Sequence, residues 1–221
     1  MTPPQWVEPG DLRVGILGGT FDPVHFGHLA IAEQVREALA LDRVLFVPAG
    51  IPPHKLGVAL TPATDRAAMV EMAIAGNPAF ALSRIELDRQ GLSYTVDTVQ
   101  ELVDEAARQG VARDFYFILS SEALAGLNSW HEPARLLSLC RMAVVARPGT
   151  PLPTGPELAA RFGDWADRIM AVETVPLAHS ASDIRNRAAA GRSIRYLVPP
   201  AVDAYIREHR LYRSGHARRT A

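Results

Sequence analysis

Six short β-rich runs, separated by segments long enough for a helix, constrain this chain more than any other feature. They are LRVGIL (12–17), RVLFVPA (43–49), FALSRIEL (80–87), DFYFIL (114–119), RMAVVA (141–146) and RIMAVET (168–174). The segments between them read as helices. LAIAEQVREALAL repeats its apolar residues at the helical period, and TPATDRAAMVEMAIA opens with a cap at Thr61 or Thr64. TVDTVQELVDEAARQG ends on a glycine C-cap signal. Strands alternating with helices predict an α/β fold, a parallel sheet flanked by helices and begun by a right-handed βαβ unit. A small C-terminal helical segment follows. SASDIRNRAAAG reads as a capped helix ending at Gly191, and SIRYLVPPAVDAYIREHRLY turns at Pro199-Pro200 into another.

A chain of 221 residues can bury a substantial core as one domain. The expected bounds are 10–213, with the basic residues 214–221 as a flexible tail. PGTPLPTGPEL (148–158) holds four prolines and reads as a loop excursion, not a domain boundary. A formal net charge of −1 argues against a broad nucleic-acid or membrane footprint while allowing a local basic pocket. No stretch is long and apolar enough to span a bilayer. MTPPQWVEPGD is acidic and proline-rich, unlike a secretory signal, so the cytoplasm is the expected location. The single cysteine, Cys140, lies in the apolar run LLSLCRMAVVA and reads as a buried thiol. Homo-oligomerisation stays open, because interface and core residues look alike in a sequence.

The first strand runs into GGTFDPVHFGHL. Open α/β sheets bind ligands beyond the carboxyl ends of their strands, near helix N-termini. Gly18 and Gly19 fall there, where glycine admits positive φ and a close ligand approach. Backbone N–H groups around Gly19, Thr20 and Phe21 would face a phosphate, aided by the dipole of a helix starting near His25–Gly27. A tight strand-to-helix turn would explain the glycines alone. The histidines favour a phosphate site: His25 and His28, three residues apart in the first turn, share a face, and imidazole donates to phosphate oxygens. Neither GxGxxG nor GxxxxGK is present. Zinc is a competing use of the pair, with Asp22 or His54 as third ligand, but HExxH and cysteine clusters are lacking, so no metal ligand is assigned.

Two further clusters fit a polyphosphate. VPAGIPPHKLG (47–57) delivers His54 and Lys55 on a loop after the second strand, where lysine is a mobile positive charge or simply a solvated surface group. HSASDIRNR (179–187) offers Ser180 or Ser182 as a helix cap, free N–H groups and Arg185; Arg187 reads equally as a ligand or a solvent-facing charge. Two phosphate-compatible helix starts suit a long anion such as a nucleoside triphosphate.

With these residues in view, the chain resembles the bacterial nicotinate-nucleotide adenylyltransferases, within the wider nucleotidylyltransferase group. GTFDPVHFGHL carries the group's GxFDPxHxGH pattern in full, and SASDIR resembles its SSTxIR motif with Ala181 and Ser182 as substitutions. PPHK (52–55), SYTVDT (93–98), the tryptophan of LNSWHE (127–132), ARPG (146–149) and SIRYLVP (193–199) extend the likeness across residues 12–212. The resemblance implies a Rossmann-like domain that moves AMP from ATP to nicotinate mononucleotide, giving deamido-NAD and pyrophosphate in NAD biosynthesis. It implies His25, His28, Lys55 and Arg185 as catalytic residues. Gly18, Gly19, Thr20, Phe21, Ser180, Ser182 and Ile184 would surround ATP phosphates. Tyr94, Thr95, Glu122, Trp130 and His131 would take the mononucleotide, with Trp130 against the pyridine ring unless it is a core residue. Mg²⁺ would ride on the triphosphate.

FILSSEAL (117–124) departs from the family's GAD sequence, placing Ser120, Ser121 and Glu122 where Gly, Ala and Asp are usual. A less crowded or shifted turn is expected, with the carboxylate one methylene farther out. Nicotinamide mononucleotide or phosphopantetheine is the alternative acceptor. A non-catalytic nucleotide-binding regulator is the deeper alternative.

Overall fold

The computed structural model describes residues 12–146, 149–175, 177 and 180–213, and of His54 only the backbone. The expected domain start at 10, the tail from 214, Arg147 and Pro148 of ARPG, and His179 lie outside the described residues. Six parallel strands pair in the order β3-β2-β1-β4-β5-β6. They are β1 (Arg13–Gly19), β2 (Arg43–Pro48), β3 (Phe80–Leu82), β4 (Asp114–Ser120), β5 (Arg141–Val145) and β6 (Ile169–Val172). The chain leaves β1 toward β2 on one side and returns to β4 on the other. That reversal opens a crevice between the carboxyl ends of β1 and β4, where open α/β sheets hold their ligands.

The central strands are buried on both faces, and successive side chains enter opposite apolar layers. Val44, Phe46, Tyr116 and Ile118 feed one apolar layer, and Val14, Ile16, Leu45, Phe115, Phe117 and Leu119 feed the other. The first layer is covered by α1 (Phe26–Ala38), α2 (Ala63–Ile74), α8 (Ala181–Ala189) and α9 (Pro200–Glu208), through residues such as Val35, Val70, Ile184 and Val202. The second is covered by α4 (Thr95–Arg108), α6 (Pro133–Leu139) and α7 (Gly155–Phe162), through Val99, Leu102, Leu136 and Phe162. Cys140 is buried in this second layer, and burial pushes its thiol up to about 12. No helix among the described residues is long and apolar enough to cross a membrane.

Several expected boundaries move. FALSRIEL supports a strand only to Leu82. Ser83 donates a last N–H to Phe46 O (2.9 Å), and α3 (Ile85–Asp88) replaces the rest. Neither Thr61 nor Thr64 caps α2; Pro62 occupies that position, and Thr61 donates its N–H elsewhere. The proline-rich loop is shorter than expected at its far end, since α7 begins at Gly155. Ser180 rather than Ser182 caps α8, accepting from the Asp183 N–H, and Gly191 follows that helix at φ +66.

One glycine is fixed by a close approach. A Cβ on Gly50 would lie 2.3 Å from Glu86 O, while Ser93 Oγ accepts the N–H groups of Gly50 (3.1 Å) and Ile51 (3.2 Å). Gly50→Ala must therefore displace backbone, at a cost of about 1–3 kcal/mol typical of overpacking. Urea unfolding should show a lower midpoint; an unchanged midpoint would contradict this reading.

Candidate active site

Residues 20–22, which leave β1, are held from four separate elements. Lys55 is the last residue of a short 3-10 turn (Pro53–Lys55) and donates its Nζ to Thr20 Oγ1 at 2.7 Å. Arg66, in the first turns of α2, donates to Thr20 O (2.8 Å) and Thr61 O (2.9 Å) and is buried. Arg185, on α8, donates to Asp22 O (2.7 Å) and Ser182 Oγ (3.2 Å). The buried Asp22 carboxylate accepts from Tyr212 Oη (2.7 Å) and from the Thr61 N–H (3.2 Å). Three clusters far apart in sequence thus converge on one loop. The result is three cations around one carboxylate, an arrangement suited to a polyanion.

The turn works differently from its sequence. Gly18 and Gly19 are strand residues without positive φ, and the left-handed position is Phe21 at φ 49. The glycines matter for space instead: a Cβ on Gly19 would meet the Phe21 ring at 3.2 Å, and one on Gly18 the Phe117 ring at 3.4 Å. The Phe21 side chain is core, tilted against Phe46, so only its backbone borders the loop. Ile184 is likewise core, and its N–H donates to Ser180 O at 3.0 Å.

His25 is the N-cap residue of α1 and His28 lies in its first turn. Their rings stack, with centroids 3.7 Å apart and 25° between planes. The His25 backbone N–H donates to His28 Nδ1 at 3.2 Å. An accepting Nδ1 puts the proton of a neutral His28 ring on Nε2, which makes that nitrogen a donor. An edge contact with Phe21 (5.0 Å) fixes the ring from the other side.

Burial lowers the Lys55 ammonium below the ordinary lysine range, and the charge of Arg185 adds to this; Asp22 opposes it and Arg66 reinforces it. As pH rises, Lys55 loses its proton earlier than a free lysine, which titrates near about 10.4. Affinity for a phosphate held by Lys55 should therefore weaken on the alkaline side before that value, and Lys55→Met should lack this limb. An identical alkaline profile in the variant would count against the contact.

Tyr94 is the N-cap residue of α4 and Thr95 its first residue. The Tyr94 ring lies 4.3 Å from the exposed His131 ring. Trp130 is half-buried and meets Phe117 edge-on at 6.0 Å. Phe117 thus lies beside Gly18 and against Trp130. The Ser120–Glu122 departure has a local use. Ser120 caps α5 (Ser121–Ala125) by accepting the Ala123 N–H (3.1 Å), and buried Ser121 donates to Thr150 O (2.8 Å). The turn is an ordinary extended one, at φ −79 and ψ 157. Glu122 is exposed in the first turn of α5. Arg187 spends its Nε on Ser193 O at 3.0 Å.

Sequence reading missed Arg66, Thr61 and Tyr212, and treated Asp22 only as a zinc ligand. Arg66 left one signal: it shares the buried face of α2 with Ala67, Met69, Val70 and Ile74, where an arginine is out of place unless partnered. Thr61 and Tyr212 left none.

The cytidylyltransferase-like family matches residues 16–187. A Roseiflexus sp. (strain RS-1) protein named "Probable nicotinate-nucleotide adenylyltransferase" is 50% identical over 200 residues, covering 90% of this chain and 98% of that one. A Thermomicrobium roseum protein of the same name is 44% identical over 205 residues, covering 93% and 94%. The nicotinic acid mononucleotide adenylyltransferase of Plasmodium falciparum, solved with NaAD, shares the fold at TM-score 0.73 and 18% identity, covering 91% of this chain and 97% of that one. On sequence and architecture together, the chain belongs to the nicotinate-nucleotide adenylyltransferases of the cytidylyltransferase-like family.

Proposed function

We propose that the protein transfers AMP from ATP to nicotinate mononucleotide, forming deamido-NAD and pyrophosphate. The observation that carries this reading is the convergence of Lys55, Arg66 and Arg185 on residues 20–22, beside the His25–His28 pair. The pyridine acceptor comes from the family, and Tyr94, Thr95, Glu122, Trp130 and His131 are the residues assigned to it.

An oxygen of the mononucleotide phosphate attacks the α-phosphorus of ATP in line. The bond from that phosphorus to the bridging oxygen breaks, and pyrophosphate leaves with the electron pair. The attacking phosphate is already anionic at neutral pH, so no strong general base is needed. Catalysis rests on alignment and on donors aimed at developing charge. His28 Nε2–H and His25 serve the α-phosphate region. Lys55, Ser180, Ser182 and Arg185 serve the β,γ side, with the backbone of Gly18–Phe21 as the floor.

ATP enters as its Mg²⁺ complex. The side chains on the loop are cations and neutral donors, and both oxygens of Asp22 are engaged. No group of three or more His, Cys, Asp or Glu able to hold a metal occurs among the described residues. This donor set fits a metal carried by the triphosphate. The cytoplasm is the compartment that goes with ATP as substrate.

Labelled ATP tests the reaction. Label at the α-phosphate should pass into the dinucleotide and label at the γ-phosphate into pyrophosphate, with none retained on quenched enzyme. α-Label bound to protein before acceptor is added would overturn direct transfer.

A further inference from the structure

Tyr212 lies beyond α9, far from every motif on the loop it touches. Its hydroxyl donates to Asp22 Oδ1 across 190 residues of sequence. The backbone there is unusual: Arg210 (φ 53) and Tyr212 (φ 66) are both left-handed without being glycine. Such conformations persist only where their surroundings enforce them. Buried Leu211 supplies the anchor, with its N–H on Ile206 O at 3.0 Å. The segment after α9 is thus turned back so that one tyrosine reaches one carboxylate.

We propose that Tyr212 is a positioning residue for ATP: its hydroxyl occupies Asp22 and so keeps Lys55 and Arg185 available to the triphosphate. Asp22 is the anion among Lys55, Arg66 and Arg185, and its charge acts on Lys55 and Arg66. It is buried, so an oxygen that loses its donor must find another or stay unsatisfied at a cost. The charged donors around it are Lys55, Arg66 and Arg185, two of which the proposed function gives to substrate. Without the tyrosine hydroxyl, ATP phosphates would compete with Asp22 for Lys55 and Arg185. The proposal rests on the phosphate site assigned above, but not on the identity of the acceptor.

A matched control exists on the same segment. Tyr205, on α9, donates to Asp65 Oδ1 at 2.8 Å, a similar bond that does not touch residues 20–22. The test compares Tyr212→Phe with Tyr205→Phe, using calorimetric ATP–Mg²⁺ binding, kcat and KM for both substrates, and Tm. Tyr212→Phe should weaken ATP binding and lower kcat/KM for ATP about tenfold, the scale of one hydrogen bond to a charged group. KM for nicotinate mononucleotide should stay at the wild-type value, and Tyr205→Phe should retain wild-type ATP parameters at a comparable Tm. Wild-type ATP affinity in Tyr212→Phe, or equal losses in both variants that follow Tm, would overturn the proposal. If wild-type enzyme binds ATP but releases no pyrophosphate with nicotinate mononucleotide, the acceptor assignment fails, and the binding comparison still decides the role of Tyr212.

Discussion

His28→Ala is expected to lower kcat by about 10²–10³-fold, the usual loss when one preorganised donor to developing charge is removed. The geometry makes His28 such a donor. Its Nδ1 accepts the His25 N–H, its ring stacks on His25, and Phe21 touches its edge. On the proposed role, the ring is oriented before the transition state forms, with Nε2–H as its donor. Its contribution to the fold is smaller, since it is only half-buried and Gly27 and Leu29 continue the helix through it. The variant should unfold within a few degrees of wild type. A variant that is fully folded and fully active would remove His28 from the mechanism.

Arg66→Met carries the largest expected loss of stability. The side chain is 2% exposed and donates to two carbonyls, Thr20 O and Thr61 O, while Asp22 lies close enough to stabilise its charge. Burial pulls its guanidinium below the usual range, yet it has the partners that keep a buried cation tolerable. Methionine restores much of the volume but none of the donors. It leaves a buried carboxylate short of a countercharge, which costs about 3–5 kcal/mol in comparable sites. For a domain of this size that corresponds to a fall in Tm of roughly 6–20 °C, read by calorimetry. Activity should fall as well, because Thr20 loses the bond that sets the loop. An unchanged Tm would mean that Arg66 is a passenger in its cavity.

These two residues mark what could and could not be read from the sequence. His25 and His28 were legible because their i,i+3 spacing, the adjoining glycines and the strand before them are all local. The six strands were legible for the same reason, as runs such as RVLFVP and RMAVV are apolar and rich in valine. FALSRIEL misled because alternation looks identical in a strand and in a strand that turns at Ser83 into a helix. The loop network stayed hidden because its bonds join residues 39, 46, 163 and 190 positions apart. Arg185 was found through its motif, whereas Tyr212 belongs to no pattern that names a phosphate. The glycine pair ends β1, but the expected positive φ is absent there; a Cβ would instead crowd Phe21 or Phe117.

The Ser120–Ser121–Glu122 turn belongs to the proposed acceptor side. Its serines are spent on capping α5 and on Thr150, which accounts for their presence without a change of chemistry. Glu122 follows them, exposed in the first turn of α5.

Pyrophosphate release from ATP–Mg²⁺, compared at equal concentrations of nicotinate mononucleotide, nicotinamide mononucleotide and phosphopantetheine, tests the central claim most directly. A strong preference for the nicotinate form is expected. Preference for either other acceptor would keep the adenylyl transfer and contradict the substrate, and no release with any of them would contradict the enzyme itself.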